Sequence, residues 1–460
     1  MKYFVSTIFV ILFISCNSTN SSITTYFGGE ILNPKSKHVL LLKDEKVVDT
    51  LLLDSNNRFL AEYNSLNEGL YTFKHGNEFQ YIYFEPADSI LIRLNTWDFD
   101  ESLVFSGKGG TKNEFLINLF LQNEKEEKAM YSYFGLDEFE FQKKIDSLSS
   151  ERNSIYASFS ENENSISEGF KKLTTTAIQF PLYRLKEIYP YYYKKAHKLD
   201  DFPSTSKEFY SFRKTININE ESLVSFYPYQ NYVISYLYNL SFAEQNKNKS
   251  TEKITNSLLH SIAENIELEE FKNTLLKKIV INDFLKSEST CTINKNTLNI
   301  FLENCTNPEY IKQVKNLVND SEIVVNKQPL RNFEIESFTN ENITINDIIK
   351  NQNTVIYFWS SEYMSSDYLV TRIKYLEKKY PNILFVGINM QPSFEDFNND
   401  VAYKQLDVTK QFKLTENSYA HSYLASKYPR TIIVNKNGVV ENGFTYLDSR
   451  KLNSELNRLK

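Results

Sequence analysis

The chain has 460 residues, of which 15% are aromatic and 24% are charged, with only 12 glycines and 11 prolines. This composition is typical of a folded, core-rich protein and excludes a disordered or collagen-like chain. Its 52 basic and 58 acidic residues give a net charge of −6, which disfavours a nucleic-acid partner because general nucleic-acid binders are usually basic. At roughly 100 to 200 residues per domain, the length predicts two to four domains.

The N-terminal residues have the pattern of a signal peptide. A positively charged start is followed by the mostly apolar run Tyr3–Ile14, which is too short to span a bilayer. Ser15 and Cys16 at the end of this run resemble a bacterial lipobox, although Phe13 stands where that motif prefers leucine. The resemblance implies that Cys16 is lipidated and becomes the mature N-terminus, anchored in a membrane by its acyl chains. A conventional signal peptide that is cut nearby is the alternative.

A polar segment follows the predicted lipidation site. We expect residues 1–15 to form the lipoprotein signal peptide and residues 16–25 to form a flexible tether. Some envelope lipoproteins carry an acidic run directly after the lipidated cysteine, which routes them to the outer face, and this sequence has none there. The predicted localisation is therefore the cell envelope, lipid-anchored, with the folded body facing the periplasm.

Residues 26–107 predict a β-sandwich domain. Short apolar or alternating runs, such as Val39–Leu42, Val47–Leu53 and Leu70–Phe73, are separated by polar turn residues, which is the pattern of an antiparallel sandwich. The glycines of Ser106–Thr111 then precede a helical pattern. They lack the spacing of a phosphate-binding loop, so they indicate a domain junction.

Residues 108–325 predict a helical domain, because apolar residues such as Phe141, Ile145 and Leu148 recur there at helical spacing. Within it, the aromatic run Tyr189–Lys195, with His197 nearby, has two interpretations. It could form a stacking platform for sugar rings or bases, or its rings could pack between helices while its lysines stay solvated. Packing is the preferred interpretation in a chain with 31 tyrosines.

Residues 329–460 alternate between strand and helix patterns, in the order β-α-β, a connecting helix, then β-β-α. With the run Val355–Ser361, this order resembles the thioredoxin-like domains of the TlpA and ResA type, found in envelope thiol-disulfide oxidoreductases. Phe358 and Trp359 match the opening pair of that family's F-W-A-x-W-C-x-x-C motif, and Tyr428-Pro429 matches its cis-proline. The predicted fold class is a multi-domain α+β protein: an N-terminal β-sandwich, a central helical domain and a C-terminal thioredoxin-like α/β fold.

The catalytic cysteines of that family are missing from this sequence. The family's second tryptophan falls on Glu362 and its two cysteines fall on Tyr363 and Ser366, while no cysteine follows Cys305. Disulfide exchange needs a thiolate nucleophile and a second thiol that resolves the mixed disulfide. We therefore regard Tyr363 and Ser366 as degenerate active-site positions, and we predict no catalytic residue and no cofactor.

The resemblance implies that the scaffold retains a peptide-binding groove. In the family, the backbone before the cis-proline binds an extended segment by strand-like hydrogen bonds, and this mode needs no cysteine. The corresponding groove here would be formed by Trp359, Glu362, Tyr363, Tyr428 and Pro429. The alternative is that Trp359 and Pro429 are retained only for folding.

The remaining cysteines and histidines give weaker signals. Cys291 and Cys305 could form a structural disulfide in an oxidising envelope, or they could be two unpaired buried cysteines, or a displaced redox pair. The five histidines are scattered without the spacing of a zinc site. We expect no metal.

The favoured function is a membrane-anchored envelope lipoprotein whose redox-inactive thioredoxin-like domain binds a protein or peptide, or assists assembly. Its partners would be an unidentified envelope protein or peptide and, through the lipid anchor, the membrane. Enzyme activity is left open but disfavoured. The alternative is a thiol-disulfide oxidoreductase that uses Cys291 and Cys305, or a partner's thiols. A third possibility is carbohydrate binding by the sandwich, which has only the fold class in its favour.

Overall fold

In a computed structural model of the chain, the described residues are 24–163, 165–287, 293–360, 366–390, 397–398, 401–402, 405–426 and 429–459. The protein is mixed α/β, with a helical middle and a thioredoxin-like region. It divides into two compact units: one holds the chain up to Phe73 and Gln80–Ile117, and the other holds Lys74–Phe79 and Asn118–Lys460. The predicted signal peptide and Cys16 lie outside the described residues. Within the described part, no helix combines the length and the apolar character needed to cross a membrane.

The first part of the chain is built from short strands, as the alternating sequence pattern predicts. They are β1 (Thr25–Leu32), β2 (His38–Lys43), β3 (Lys46–Leu52), β4 (Arg58–Tyr63), β5 (Gly69–His75), β6 (Glu78–Phe84), β7 (Ser89–Asn95) and β8 (Val104–Lys108). They form two four-stranded sheets with the orders β4-β1-β7-β8 and β3-β2-β5-β6. The ring of Phe27 on β1 lies 6.0 Å from that of Phe73 on β5 and 5.7 Å from that of Phe84 on β6. Aromatic side chains of one sheet therefore pack directly on those of the other.

The predicted antiparallel pairing is wrong for one pair of strands in the first sheet. β1 and β7 pair in parallel, from Tyr26 opposite Ser89 to Leu32 opposite Asn95. A parallel pair needs a long crossover connection, and here the chain between β1 and β7 supplies it, because it forms β4 and the strands of the other sheet. Local alternation cannot reveal this, since it is the same for parallel and antiparallel edges.

The middle of the chain is helical, as predicted. Its helices are α1 (Gly110–Met130), α2 (Glu138–Asn162), α3 (Glu168–His197), α4 (Tyr227–Asn248), α5 (Ile254–Asn265), α6 (Glu269–Ser287), α7 (Lys295–Asn304) and α8 (Pro308–Ile323). Side-chain caps fix several helix starts: Ser167 accepts a hydrogen bond from the Phe170 N–H, and Asn307 accepts from the Glu309 and Tyr310 N–H groups. Such caps satisfy N–H groups that have no partner within the helix.

The thioredoxin-like region follows. Its elements are β9 (Glu334–Ser337), β10 (Asn342–Thr344), α9 (Ile345–Ile349), β11 (Asn353–Trp359), α10 (Ser366–Lys379), β12 (Ile383–Asn389), β13 (Gln411–Leu414), β14 (Thr431–Val434), β15 (Val440–Thr445) and α11 (Leu452–Asn457).

One seven-stranded sheet organises this region, in the order β10-β9-β13-β12-β11-β14-β15. β11 pairs in parallel with β12 and antiparallel with β14, and β14 pairs antiparallel with β15. Alternate residues of β11 enter different apolar clusters, Ile356 and Phe358 in one and Val355, Tyr357 and Trp359 in the other. Because successive side chains of a strand point to opposite faces, both faces of β11 are covered.

Candidate functional site

The candidate site lies where β11 ends, α10 begins and Pro429 precedes β14. In open α/β sheets, ligands bind beyond the carboxyl ends of the parallel strands. Trp359 is the last residue of β11, and its backbone oxygen accepts a hydrogen bond from the N–H of Met390 at 2.9 Å. The Phe358 N–H donates to the backbone oxygen of Arg430 at 2.9 Å. These bonds fix the backbone immediately below the site.

The side chain of Trp359 does not line an open groove. It is 0% exposed and belongs to an apolar cluster with Val355, Leu369 and Phe397. Its Nε1–H donates to Gln411 Oε1 at 3.1 Å, which gives the indole N–H the partner that burial requires. The expectation that Trp359 forms part of the groove surface is therefore wrong: a large aromatic side chain at the end of a doubly covered strand is buried in the core.

A short polar chain continues from Trp359 beneath the site. Gln411 on β13 donates through Nε2 to the hydroxyl of Tyr357 at 2.8 Å, and burial raises the pKa of Tyr357 above its usual value of 10.0. Gly387 on β12 makes room for this chain, because a Cβ atom there would lie 2.1 Å from Gln411 Oε1 and 2.6 Å from the Tyr357 hydroxyl. The sequence pattern did not single out Gln411, since an alternation over only four residues is too short to give a clear periodic signal.

Arg430, the residue after Pro429, is almost fully buried. Its Nη1 donates to the backbone oxygens of Asp320 at 2.7 Å and of Tyr423 at 2.8 Å, and its Nη2 donates to the backbone oxygen of Gly443. Burial lowers the pKa of Arg430 to about 10. The planar guanidinium, with its fixed fork of donors, thus joins backbone groups of three separate segments next to the predicted groove.

Asp320, near the end of α8, holds the loop that leads to Pro429. Its carboxylate accepts from the N–H groups of Ala425 at 3.0 Å and Ser426 at 2.8 Å, and also from the Ser426 hydroxyl. Burial raises the pKa of Asp320 above its usual value of 3.8, while its Ser426 bonds and the Arg430 charge oppose that rise. A helix of the helical middle therefore positions the loop before β14, a connection over about a hundred residues that no sequence spacing indicates.

Several predicted site residues fall outside the described residues: Glu362, Tyr363 and Tyr428. The same holds for the side chain of Ser366, whose backbone begins α10, and for the peptide bond between Tyr428 and Pro429. Pro429 itself is half-buried. The groove therefore stays a prediction at every position but Trp359.

Of the two cysteines of the body, only Cys305 lies among the described residues. Cys305 follows α7, is 4% exposed and has no disulfide partner among the described residues. Burial raises its pKa above the usual value of 9.0, which lowers the fraction of reactive thiolate. Cys291 lies outside the described residues, so its pairing with Cys305 stays a prediction. Among the described residues, no group of three or more His, Cys, Asp or Glu side chains could hold a metal ion.

Comparisons with known proteins give only structural likenesses. No family model and no curated protein matches the chain. A thiol-disulfide oxidoreductase of Bacteroides fragilis is 17% identical, with 29% of this chain and 100% of that chain covered and a TM-score of 0.26. The thioredoxin domain of a thiol-disulfide oxidoreductase of Bacteroides vulgatus is 16% identical, with 30% and 99% covered and a TM-score of 0.25.

At these identities and TM-scores the matches carry no argument about activity. The description of the region rests instead on its own strand order, with β11 central between a parallel β12 and an antiparallel β14, and with α10 connecting β11 to β12. By this strand order the C-terminal region of this chain is thioredoxin-like. The solved structures that match part of the chain are thiol-disulfide oxidoreductases.

Proposed function

We propose that the chain is a membrane-anchored envelope lipoprotein whose thioredoxin-like region is redox-inactive and binds an extended protein or peptide segment. The observation that carries the proposal is the pairing of a complete thioredoxin-like sheet with a sequence that has Tyr363 and Ser366 where such a domain needs its two cysteines. Without a thiolate and a resolving thiol, this region has no nucleophile for disulfide exchange.

Peptide binding is supported by how firmly the segment before β14 is held. Its approach is fixed by the bonds of Asp320 to Ala425 and Ser426, and its exit by the bond between the Phe358 N–H and the Arg430 oxygen. A backbone held in one conformation loses little further entropy when an extended segment pairs with it. Firm support on both sides of Pro429 is therefore what a binding edge requires.

The membrane anchor in this proposal is a lipid on Cys16. It rests on the apolar run Tyr3–Ile14 and on the small residue that precedes the cysteine. Metabolic labelling with a fatty-acid probe tests it directly. The full chain should be labelled, and Cys16→Ser should not.

The competing function is a thiol-disulfide oxidoreductase that uses Cys291 and Cys305. Reduction of a disulfide-bonded protein such as insulin, with a dithiol as electron donor, separates the two functions. We expect the purified chain to show no turnover above the donor alone. Turnover that is abolished by Cys291→Ser or Cys305→Ser would overturn the proposal.

Partner binding needs a separate test with a matched control. A photo-crosslinking residue in place of Tyr428 should capture a specific envelope protein, and Tyr363→Ala should reduce the binding of that protein, once purified, about tenfold. Tyr375→Ala is the control, because Tyr375 lies on α10 with 47% of its surface exposed, outside the predicted groove. If Tyr375→Ala loses as much binding as Tyr363→Ala, or if both variants bind as well as the wild-type chain, the groove has no role in binding.

A further inference from the structure

The helical middle contains a cleft of about 960 Å³ that lies mainly between α3, α4 and residues 202–213. This volume is at the upper end of the range of small-molecule sites, roughly 300–1,000 Å³. Within the described residues, it is separate from the thioredoxin-like sheet, because all its lining residues fall between Arg184 and Ile254. The proposed peptide-binding groove of the thioredoxin-like region therefore does not account for this cleft.

One wall of the cleft is aromatic. The ring of Phe242 lies 5.1 Å from that of Phe202, 5.7 Å from that of Tyr191 and 6.2 Å from that of Tyr238. Tyr191 remains 43% exposed, although its neighbour in sequence, Tyr189, is buried in the helical core as the preferred interpretation of the aromatic run predicts. The wall therefore offers open ring faces to whatever occupies the cleft.

The floor of the cleft is polar and held in place. Arg213 donates through Nε to Glu187 Oε1 at 2.9 Å and through Nη2 to Glu187 Oε2, and its guanidinium lies 3.8 Å from the ring centre of Tyr210. Asn239 donates to the backbone oxygen of Glu187 at 2.8 Å and to the Tyr210 hydroxyl at 3.0 Å. Pro190, further along α3, lacks the N–H that would bond the Lys186 oxygen, and Asn239 from α4 adds a bond to the oxygen of the adjacent Glu187.

The charges of the cleft are internally balanced. Its charged lining residues are Arg184, Glu187 and Arg213. Arg213 is paired with Glu187, and Arg184 is paired with Glu127 at 2.8 Å. An anionic ligand would have to compete with these carboxylates, and a cationic ligand with the arginines. The electrostatics therefore favour an uncharged ligand.

The cleft also offers uncommitted polar groups. Within the described part of the chain, the amides of Asn231 and Asn246, the hydroxyls of Tyr191 and Tyr238, and Oδ1 of Asn239 have no hydrogen-bond partner. Amides and phenolic hydroxyls both donate and accept. They match a ligand that is rich in hydroxyl groups, since each hydroxyl also does both.

We propose that this cleft binds a neutral oligosaccharide, with its sugar rings stacked on Tyr191 and Phe242 and its hydroxyls bonded by Asn231, Asn239 and Asn246. A sugar ring has an apolar C–H face and a rim of hydroxyls, which corresponds to the aromatic wall and the polar floor. An extended peptide fits less well, because helices offer no free strand edge to its backbone. Nucleic acid fits less well, because the arginines are already paired.

Binding is tested with the full chain in detergent, by calorimetry against cellotriose, maltotriose and mannotriose, with the tripeptide Gly-Phe-Gly as a competing class. We expect at least one trisaccharide to bind, with an affinity that changes little between low and high salt because no ion pair is exchanged. Tyr191→Ala and Phe242→Ala should each weaken it about tenfold or more, as the loss of a stacking ring does.

The controls separate a specific loss from a folding defect. Tyr375→Ala removes a similarly exposed tyrosine on α10, outside the cleft, and should leave the affinity unchanged. Asn231→Ala should weaken binding without changing the thermal midpoint, and Tyr191→Ala should nearly preserve it. Phe242→Ala should lower the midpoint, because its ring packs on Phe202 and Tyr238, so its affinity is measured well below that midpoint. The proposal is overturned if none of the three trisaccharides binds or if the tripeptide binds more tightly. It is also overturned if Tyr191→Ala and Phe242→Ala bind as tightly as the wild-type chain.

Discussion

Lys186, on the buried side of α3, makes the stability of the helical middle depend on pH. Its ammonium lies 4.6 Å from the ring centres of both Phe209 and Phe212 and is only 5% exposed. Burial lowers its pKa from 10.5 to about 8, even though the nearby charges of Asp146, Glu187 and Glu138 oppose the shift and only Arg213 adds to it.

The sign of the pH effect follows from proton binding. Below about pH 8 Lys186 is protonated in both the folded and the unfolded chain, whereas between about 8 and 10.5 only the unfolded chain keeps the proton. The unfolded state then binds more protons, so the free energy of unfolding rises with pH in this window. Between about pH 7 and pH 8.5, more than one unit below the usual tyrosine pKa of about 10, we expect a gain of about 1 kcal/mol from this group.

Urea unfolding at both pH values, followed by circular dichroism, measures that gain. Lys186→Met should remove it and raise the stability at pH 7, because the cost of burying a charge disappears. Lys195→Met, an exposed position in the same helix, should keep the wild-type dependence. If Lys186→Met retains the full dependence, the rise comes from another group.

At the scale of elements, Gly387 on β12 is a position where the packed sheet leaves no room for a side chain. The strand has buried residues on both faces, so the polar chain of Tyr357, Gln411 and Trp359 fits only because this position lacks a side chain. We expect Gly387→Ala to lower the free energy of unfolding by about 1–3 kcal/mol, the usual cost of overpacking a well-packed core.

A double substitution checks the cause of that loss. Gly387→Ala combined with Gln411→Ala removes the nearest obstructing atom, so the two changes should cost less together than the sum of their separate effects. Gly135→Ala is the control, because a Cβ atom there would have no atom within 4 Å. It should be nearly neutral in the same unfolding experiment. Strict additivity at Gly387 and Gln411 would contradict a steric origin.

The elements that sequence reasoning found are those with a strong local signal. β11 is a continuous apolar run, which predicts a strand covered on both faces, and α10 has apolar residues at helical spacing. β13 was missed: residues Gln411–Leu414 alternate polar and apolar side chains over only four positions, and a connecting helix was expected in this stretch of the chain. It forms a strand because it pairs with β12 and β9, and such long-range contacts are not visible in a local sequence pattern.

The candidate site shows the same division between local and distant signals. The candidate position of the site was inferred from Phe358, Trp359 and Pro429, two sequence anchors about 70 residues apart that match a known order of strand, helix and proline. The burial of Trp359 and the contacts of Asp320, Gln411 and Arg430 could not be predicted from the sequence. Each depends on a partner more than fifty residues away or on the packing of a whole face.

At the scale of the molecule, α8 is the helix that joins the helical middle to the thioredoxin-like region. Asp320 binds the loop at Ala425 and Ser426 and accepts from Arg430, while Gly443 on β15 approaches the end of α8 so closely that a Cβ atom would lie 2.1 Å from the backbone oxygen of Val324. The buried guanidinium of Arg430 therefore depends on a helix that precedes the sequence pattern of the thioredoxin-like region.

Two fragments test whether the thioredoxin-like region is autonomous. A fragment of residues 307–460 retains α8 with its cap, Asn307, whereas a fragment of residues 326–460 begins after the helix. We expect the longer fragment to unfold cooperatively in urea and the shorter one to be less stable by about 3–5 kcal/mol. Removing one partner of a buried charged group leaves that group uncompensated, and here Arg430 loses its Asp320 acceptor.

Asp320→Ala in the longer fragment distinguishes this polar connection from the apolar contacts of α8. It leaves the backbone oxygen that Arg430 uses but removes the carboxylate that holds Ala425 and Ser426. We expect it to cost about 1–3 kcal/mol, less than loss of the whole helix, and to weaken protection of the Ser426 amide against hydrogen exchange. Equal stability of the two fragments would mean that the region folds on its own sheet, and that α8 contributes nothing to holding the loop before Pro429.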